Sequence, residues 1–156
     1  MKNHTEILSD GINFASRIHR SQKDKQGAAY ILHPLHIMDR VLKTTGDLLV
    51  ATVAVCHDSI EDSLDQEKAW SDFRSQVTDR EDVIHSLKLL THDHSQSYED
   101  YIDSISTDTW ATQVKLADIT HNSDISRLKG VTDRDIARMA KYHRSYMRLK
   151  TGSWSK

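Results

Sequence analysis

Cysteine is almost missing from this chain. Cys56 is the single thiol, so no disulfide can form within one copy and no Cys-x-x-Cys zinc or redox motif exists. Proline is as scarce, with one residue, and glycine numbers only five. These residues punctuate hairpins and tight turns, so little material is left for a β-rich fold. A long apolar run is missing as well. The longest, "LLVATVAVC", is too short to span a bilayer, and "MKNHTEILSD" lacks the apolar stretch of a secretory signal. There is no surplus of one charge either, with 21 Lys and Arg against 23 Asp and Glu. A general nucleic-acid or membrane-surface binder usually carries a basic excess. The expectation is a cytoplasmic protein with neither nucleic acid nor membrane as partner, in which any anionic ligand is held locally.

What is present is a helical pattern. The chain has 156 residues, 37% of them apolar and 28% charged, enough to bury a core without staples. One globular domain over 1–156 is expected. Ile7, Leu8, Phe14, Ala15 and Ile18 line one helical face. "HPLHIMDRVLKTTG" places Pro34 at a helix start and Gly46 at its stop. "DLLVATVAVCHDSIED" is apolar nearly all round at first, which predicts a central helix running through to the acidic pair. Trp70 and Phe73, then Val83 to Leu90, then Tyr98 to Ile105 mark three shorter helices. Val114 to Leu128 reads as a longer one. Thr132-x-x-Asp135 caps a last helix that stops at Gly152. No period-2 strand emerges. The fold class is therefore all-α, a single helical bundle, with its least ordered parts at the first residues, "GAAY", "THDHSQS" and the tail "GSWSK".

Ten histidines need a reason. His57-Asp58 and Glu61-Asp62 close the most apolar segment of the chain. On a continuous helix His57 would share a face with Glu61, and Asp58 with Asp62. Unpaired charges in such a setting cost several kcal/mol, and a divalent cation removes that cost. Alone, the pattern is equally that of a helix surfacing with solvated acids. His33 beside a helix start, and Asp118 on an otherwise apolar helix with Asn122 one turn on, repeat the theme.

The ordered set resembles the HD phosphohydrolases, and among them the hydrolase domain of the RelA/SpoT alarmone enzymes and their small relatives. The stretches "HRSQKDKQGAAYILHPL", "CHDSIEDS" and "VKLADITHN" carry it, with weaker similarity through "SYEDYID" to "KYHRSY", covering about residues 5–150. The resemblance implies metal ligation by His33, His57, Asp58 and Asp118, a catalytic pair in Glu61 and Asp62, and substrate contacts from Lys25 and Asn122. It also implies Mn²⁺, although two imidazoles and two carboxylates suit manganese, iron or zinc alike. The chain departs from the family pattern at Asp24 and Ile119, where arginines are usual, and at Ala29, usually proline.

The implied activity is metal-dependent hydrolysis of guanosine 3′,5′-bis(diphosphate) at its 3′-pyrophosphate. Two other functions remain open: hydrolysis of another nucleotide, such as a monophosphate or a nicotinamide dinucleotide phosphate, and nucleotide sensing without catalysis. Other features have plainer readings. His92 and His94 read as a polar loop rather than a second metal site. His19 and His36 read as packing or capping residues, and His121 as a hydrogen-bonding support. Tyr142 and Cys56 read as core. Lys115 is either a surface lysine or a phosphate contact.

Overall fold

The computed structural model describes residues 1–154. Among the described residues eight α-helices follow one another: α1 His4–Ile18, α2 Leu32–Thr45, α3 Leu48–Cys56, α4 Gln66–Gln76, α5 Glu81–Leu90, α6 Tyr98–Ile105, α7 Thr109–Asn122 and α8 Asp133–Thr151. A short 3₁₀ turn, Ile125–Arg127, sits between the last two. Among the described residues there is no strand, only an isolated bridge between Lys23 and Ala29. The all-α expectation is met.

α3 forms the hub. Every residue from Leu49 to Cys56 is buried, and the helix packs against α1, α2, α5 and α7. Fully burying a Val or Leu side chain contributes roughly 1.5–3 kcal/mol. Asp47 starts the helix by accepting from the backbone N–H groups of Leu49 and Val50, which would otherwise be orphaned. Gly11 lets α1 come close: a methyl there would meet Thr52 Cγ2 at 3.0 Å. Phe14 meets Phe73 edge-on at 5.5 Å, which ties α4 to α1.

Three boundaries differ from the sequence expectation. The α-helix of α3 stops at Cys56 rather than running through Asp62. His57 N–H reaches back to Ala54 and Ser59 N–H to Cys56, so the chain tightens into turns. α2 begins at Leu32, so His33 lies inside it and Pro34 is its third residue. Proline is tolerated there because first-turn N–H groups have no helical partner. The stretch Val114 to Leu128 is not one helix: α7 ends at Asn122, and Asp124 accepts from Ser126 N–H to start the 3₁₀ turn.

Near the two ends of the described residues, Asn3 and Trp154 each have a partner. Asn3 and Glu6 form a reciprocal capping box at the start of α1. Trp154, in the tail, packs on the core and donates to Asp103 Oδ1 at 3.1 Å. The remaining tail residues, 155 and 156, lie outside the described residues.

Candidate metal centre and adjoining cavities

Four side chains from three segments converge. His33 comes from the first turn of α2, His57 and Asp58 from the turns after α3, and Asp118 from α7. His33 Nε2 lies 3.1 Å from Asp118 Oδ1 and 3.7 Å from Asp58 Oδ2. His57 Nε2 lies 3.0 Å from Asp58 Oδ2 and 3.7 Å from Asp118 Oδ1. The ligand atoms of His33, His57 and Asp58 all fall within 4.8 Å of one another.

Neighbours determine which way the rings can act. His57 Nδ1 is 2.7 Å from the carbonyl oxygen of Ala54. A carbonyl only accepts, so Nδ1 carries a hydrogen and Nε2 is the nitrogen that faces the cluster. That Nε2 is buried and, despite its short approach to Asp58, has no aligned hydrogen-bond partner. His33 Nδ1 is 2.7 Å from His121 Nδ1. Burial, then Arg127, His33 and His36, pushes His121 down to about 4, so it is neutral and accepts from His33. His33 Nε2 then also faces the carboxylates, a ring orientation assigned from the network. His36 stacks on the far side of His121, with ring centroids 4.1 Å apart.

The acids are similarly held. The Tyr30 hydroxyl donates to Asp58 Oδ2 at 2.5 Å, and burial followed by Asp58 lifts its pKa far above the phenol range. Asn122 Nδ2 donates to Asp118 Oδ1 at 2.7 Å, and Lys115 Nζ lies 2.9 Å from Asp118 Oδ2. Burial alone would raise both carboxyls. His57 nevertheless holds Asp58 down to about 2, and Lys115 with the two histidines holds Asp118 well below its usual range. Burial would likewise lower His57, but Asp58 and Asp118 outweigh it and lift it well above the imidazole value. The protein alone thus balances this cluster with protons on imidazole. A divalent cation fits in their place, with two nitrogen and two oxygen donors and an orphaned buried nitrogen aimed at the centre.

The two remaining acids of the motif part company. Glu61 accepts from the backbone N–H of His92 at 3.0 Å and lies 3.8 Å from His94 Nε2. Its polar partners come from the loop before α6, across the fold. The "THDH" loop, read above as merely polar, therefore packs on Glu61, and Glu61, His92 and His94 make a second close group of metal-type donors. Asp62 faces the other way: Gln22 Nε2 donates to it at 2.9 Å and His19 lies 3.8 Å off. Burial raises its pKa.

Two cavities flank the cluster. One, of about 260 Å³, is lined by Lys25, Tyr30, His33, Asn122, Arg138 and Tyr142, among others. The other, of about 210 Å³, is walled by Asp58, Glu61, Lys115, Asp118, Lys141 and Tyr142, among others. Tyr142 is therefore a cavity residue and not core, as its helical spacing had suggested. Lys115 is no surface lysine, with only 14% of its side chain exposed. Asp24 lines the larger cavity, yet its Oδ1 accepts from the N–H groups of Gln26 and Ala28. It builds the loop in which Gly27 takes a φ of +85°. Ile119 is 2% exposed and borders neither cavity. Cys56 is buried, and burial pushes its thiol up. Sequence reasoning missed the Tyr30–Asp58 bond, although Tyr30 stands three residues before His33. It also missed that His121, three residues after Asp118, reaches His33.

No family model matches the chain. A GTP pyrophosphokinase of Myxococcus xanthus is 28% identical over 126 residues, 75% of this chain and 17% of that protein. Guanosine-3′,5′-bis(diphosphate) 3′-pyrophosphohydrolase MESH1 of Danio rerio is 39% identical over 64 residues, 38% of this chain and 35% of that protein. The chain thus spans about a third or less of the length of these curated relatives. A solved structure of a metazoan ortholog of SpoT that hydrolyzes ppGpp aligns over 96% of this chain and 88% of that one, with a TM-score of 0.71 and 20% identity. The fold is the helical one of that SpoT ortholog. In sequence the chain is similar to parts of these two curated proteins, and in fold to the SpoT ortholog.

Proposed function

We propose that the chain is a metal-dependent phosphohydrolase that cleaves the 3′-pyrophosphate from guanosine 3′,5′-bis(diphosphate). One observation carries the reading: His33, His57, Asp58 and Asp118 converge on a common centre between two cavities that carry cationic side chains. The relatives named for this nucleotide supply the substrate. A divalent cation, Mn²⁺ in this reading, supplies Lewis acidity at the phosphoryl group when bound. His33, His57, Asp58 and Asp118 hold it, while Ala54, His121, Tyr30 and Asn122 orient those ligands. Lys25 meets phosphate charge, and the free carbonyl oxygen of the Asn122 amide meets the nucleoside. Glu61 takes the proton of the attacking water, and Asp62 holds a proton for the departing 3′ oxygen. The P–O3′ bond breaks, leaving guanosine 5′-diphosphate and inorganic pyrophosphate.

The two departures at Asp24 and Ile119 weaken as arguments for another nucleotide. The Asp24 carboxylate is engaged by two loop amides, and Ile119 is packed away from both cavities. Among the described residues no helix is long and apolar enough to cross a membrane. A cytoplasmic, one-domain enzyme is part of the same proposal. The test is turnover of guanosine tetraphosphate by purified protein with Mn²⁺, with products identified. Release of pyrophosphate and guanosine 5′-diphosphate is expected. Cleavage of other nucleotides only would put a different substrate in its place, and no metal-dependent turnover at all would leave a sensor.

A further inference from the structure

The smaller cavity has two lysines in its wall, and only one of them is paired with a carboxylate among the described residues. Lys115, on α7, is paired with Asp118 and lies 5.3 Å over the Tyr101 ring. Lys141, on α8, lies 4.3 Å over the Tyr98 ring and 5.7 Å from the centre of Tyr142. Among the described residues Lys141 has no carboxylate at ion-pair distance. The Tyr98 hydroxyl is buried with no hydrogen-bond partner. All of these line the same cavity beside Glu61.

A lysine lying over an aromatic ring gains from the ring alone. The ring does not use the three directed N–H groups of the ammonium, and it leaves the Tyr98 O–H unpaired. Burial, and then the neighbouring Lys115 ammonium, holds Lys141 below the usual lysine range. Two cations lining one cavity, with the idle Tyr98 hydroxyl in the same lining, suit an oxyanion with several acceptor oxygens. Asp58 and Asp118 also face this space, but a bound cation compensates them, and the Glu61 carboxylate already accepts from His92 N–H.

We infer that Lys115, Lys141 and Tyr98 form an oxyanion subsite for the distal phosphate of a diphosphate group. The inference rests on the phosphohydrolase reading and deepens it. The two cavities share Tyr30, Asn122 and Tyr142 as walls and meet at the metal-type cluster. A nucleotide with its nucleoside beside Lys25 can then lay its diphosphate across the cluster and place the terminal phosphate against Lys141. The same subsite holds the pyrophosphate product until release.

Calorimetric titration tests this on the metal-loaded chain of residues 1–156. The probes are inorganic pyrophosphate and guanosine 5′-diphosphate. Lys141→Gln keeps a good helix former and should weaken pyrophosphate by about tenfold or more, while guanosine 5′-diphosphate shifts by about twofold or less. Tyr98→Phe should weaken pyrophosphate by a smaller factor, about threefold to tenfold. Wild-type protein that ignores pyrophosphate, or a Lys141→Gln variant that binds it unchanged, overturns the subsite. So does an equal loss for both probes, which would mark a general field rather than a contact. Pyrophosphate binding that depends on Lys141 in a protein that cleaves no guanosine tetraphosphate leaves the subsite standing and removes the hydrolase reading. Cleavage with Lys141-independent pyrophosphate binding does the reverse.

Discussion

α3 and the turns that follow it are adjacent in sequence, yet one is wholly buried, the other only in part, and they are stabilised in opposite ways. From Leu49 to Cys56 the chain lies in the core, and its backbone bonds close within the helix. That half needs only apolar neighbours. From His57 to Asp62 the polar side chains look outward to other segments: His57 and Asp58 to His33 and Asp118, Glu61 to the loop before α6, Asp62 to the end of α1. Burial in the first half contributes stability directly. In the second half it raises the cost of every charge that lacks a partner. One continuous stretch thus separates what holds the fold from what the site does.

Substitutions should split along that line. The largest effect is expected from Asp118→Ala, which removes one carboxylate from the metal-type cluster and leaves Lys115 unpaired. Metal content measured on purified protein should fall to near zero, with helical content by circular dichroism retained. Undiminished stoichiometry and affinity would remove the proposed centre. On the apolar side, Leu49→Ala should cost about 2–5 kcal/mol in denaturant unfolding, with turnover per folded molecule unchanged. A matching loss of turnover would show that the two halves are not separable. Glu61→Gln keeps the shape but loses the base, so turnover should drop on the order of 10²-fold with metal content near wild type. If the metal leaves while the loaded fraction stays fully active, Glu61 is a ligand instead. The smallest effect is expected at Gly11→Ala. A better helix former gains about 1 kcal/mol, but its methyl meets Thr52 Cγ2 at 3.0 Å, and overpacking costs roughly 1–3 kcal/mol. A net loss near 1 kcal/mol by denaturant midpoint is expected; a gain would show that α1 and α3 have room to part.

Much of this was legible in the residue order. The helical class followed from periodicity and from the shortage of breakers. Gly46 and Gly152 stop α2 and α8 in the left-handed conformation at φ of +68° and +80°, as their positions after the last apolar residues predicted. The capping pair Thr132 and Asp135 is present in both directions. His33, His57, Asp58 and Asp118 were named from their ordered motifs, and the structure brings them together. Helix ends inside the site were not legible. α3 was expected to run to Asp62 because apolar periodicity marks which face is buried, not where a helix tightens.

The rest depends on distance across the fold. Whether Asp24 faces a ligand or its own loop amides, whether Tyr142 is core or cavity wall, and whether Lys115 reaches solvent or Asp118 are decided by elements far apart in sequence. The sequence by itself determined that the chain is helical, that its central segment is buried, and which histidines and carboxylates stand next to apolar runs. Those properties are local, set by the period of the helix and the cost of exposing apolar surface. Only the tertiary structure decided that Glu61 and Asp62 face opposite ways, that His121 supports His33, and that Lys141 stands over Tyr98 without a carboxylate. Each of these depends on the packing of α2, α7 and α8 around α3, and on which charges that packing leaves to be compensated.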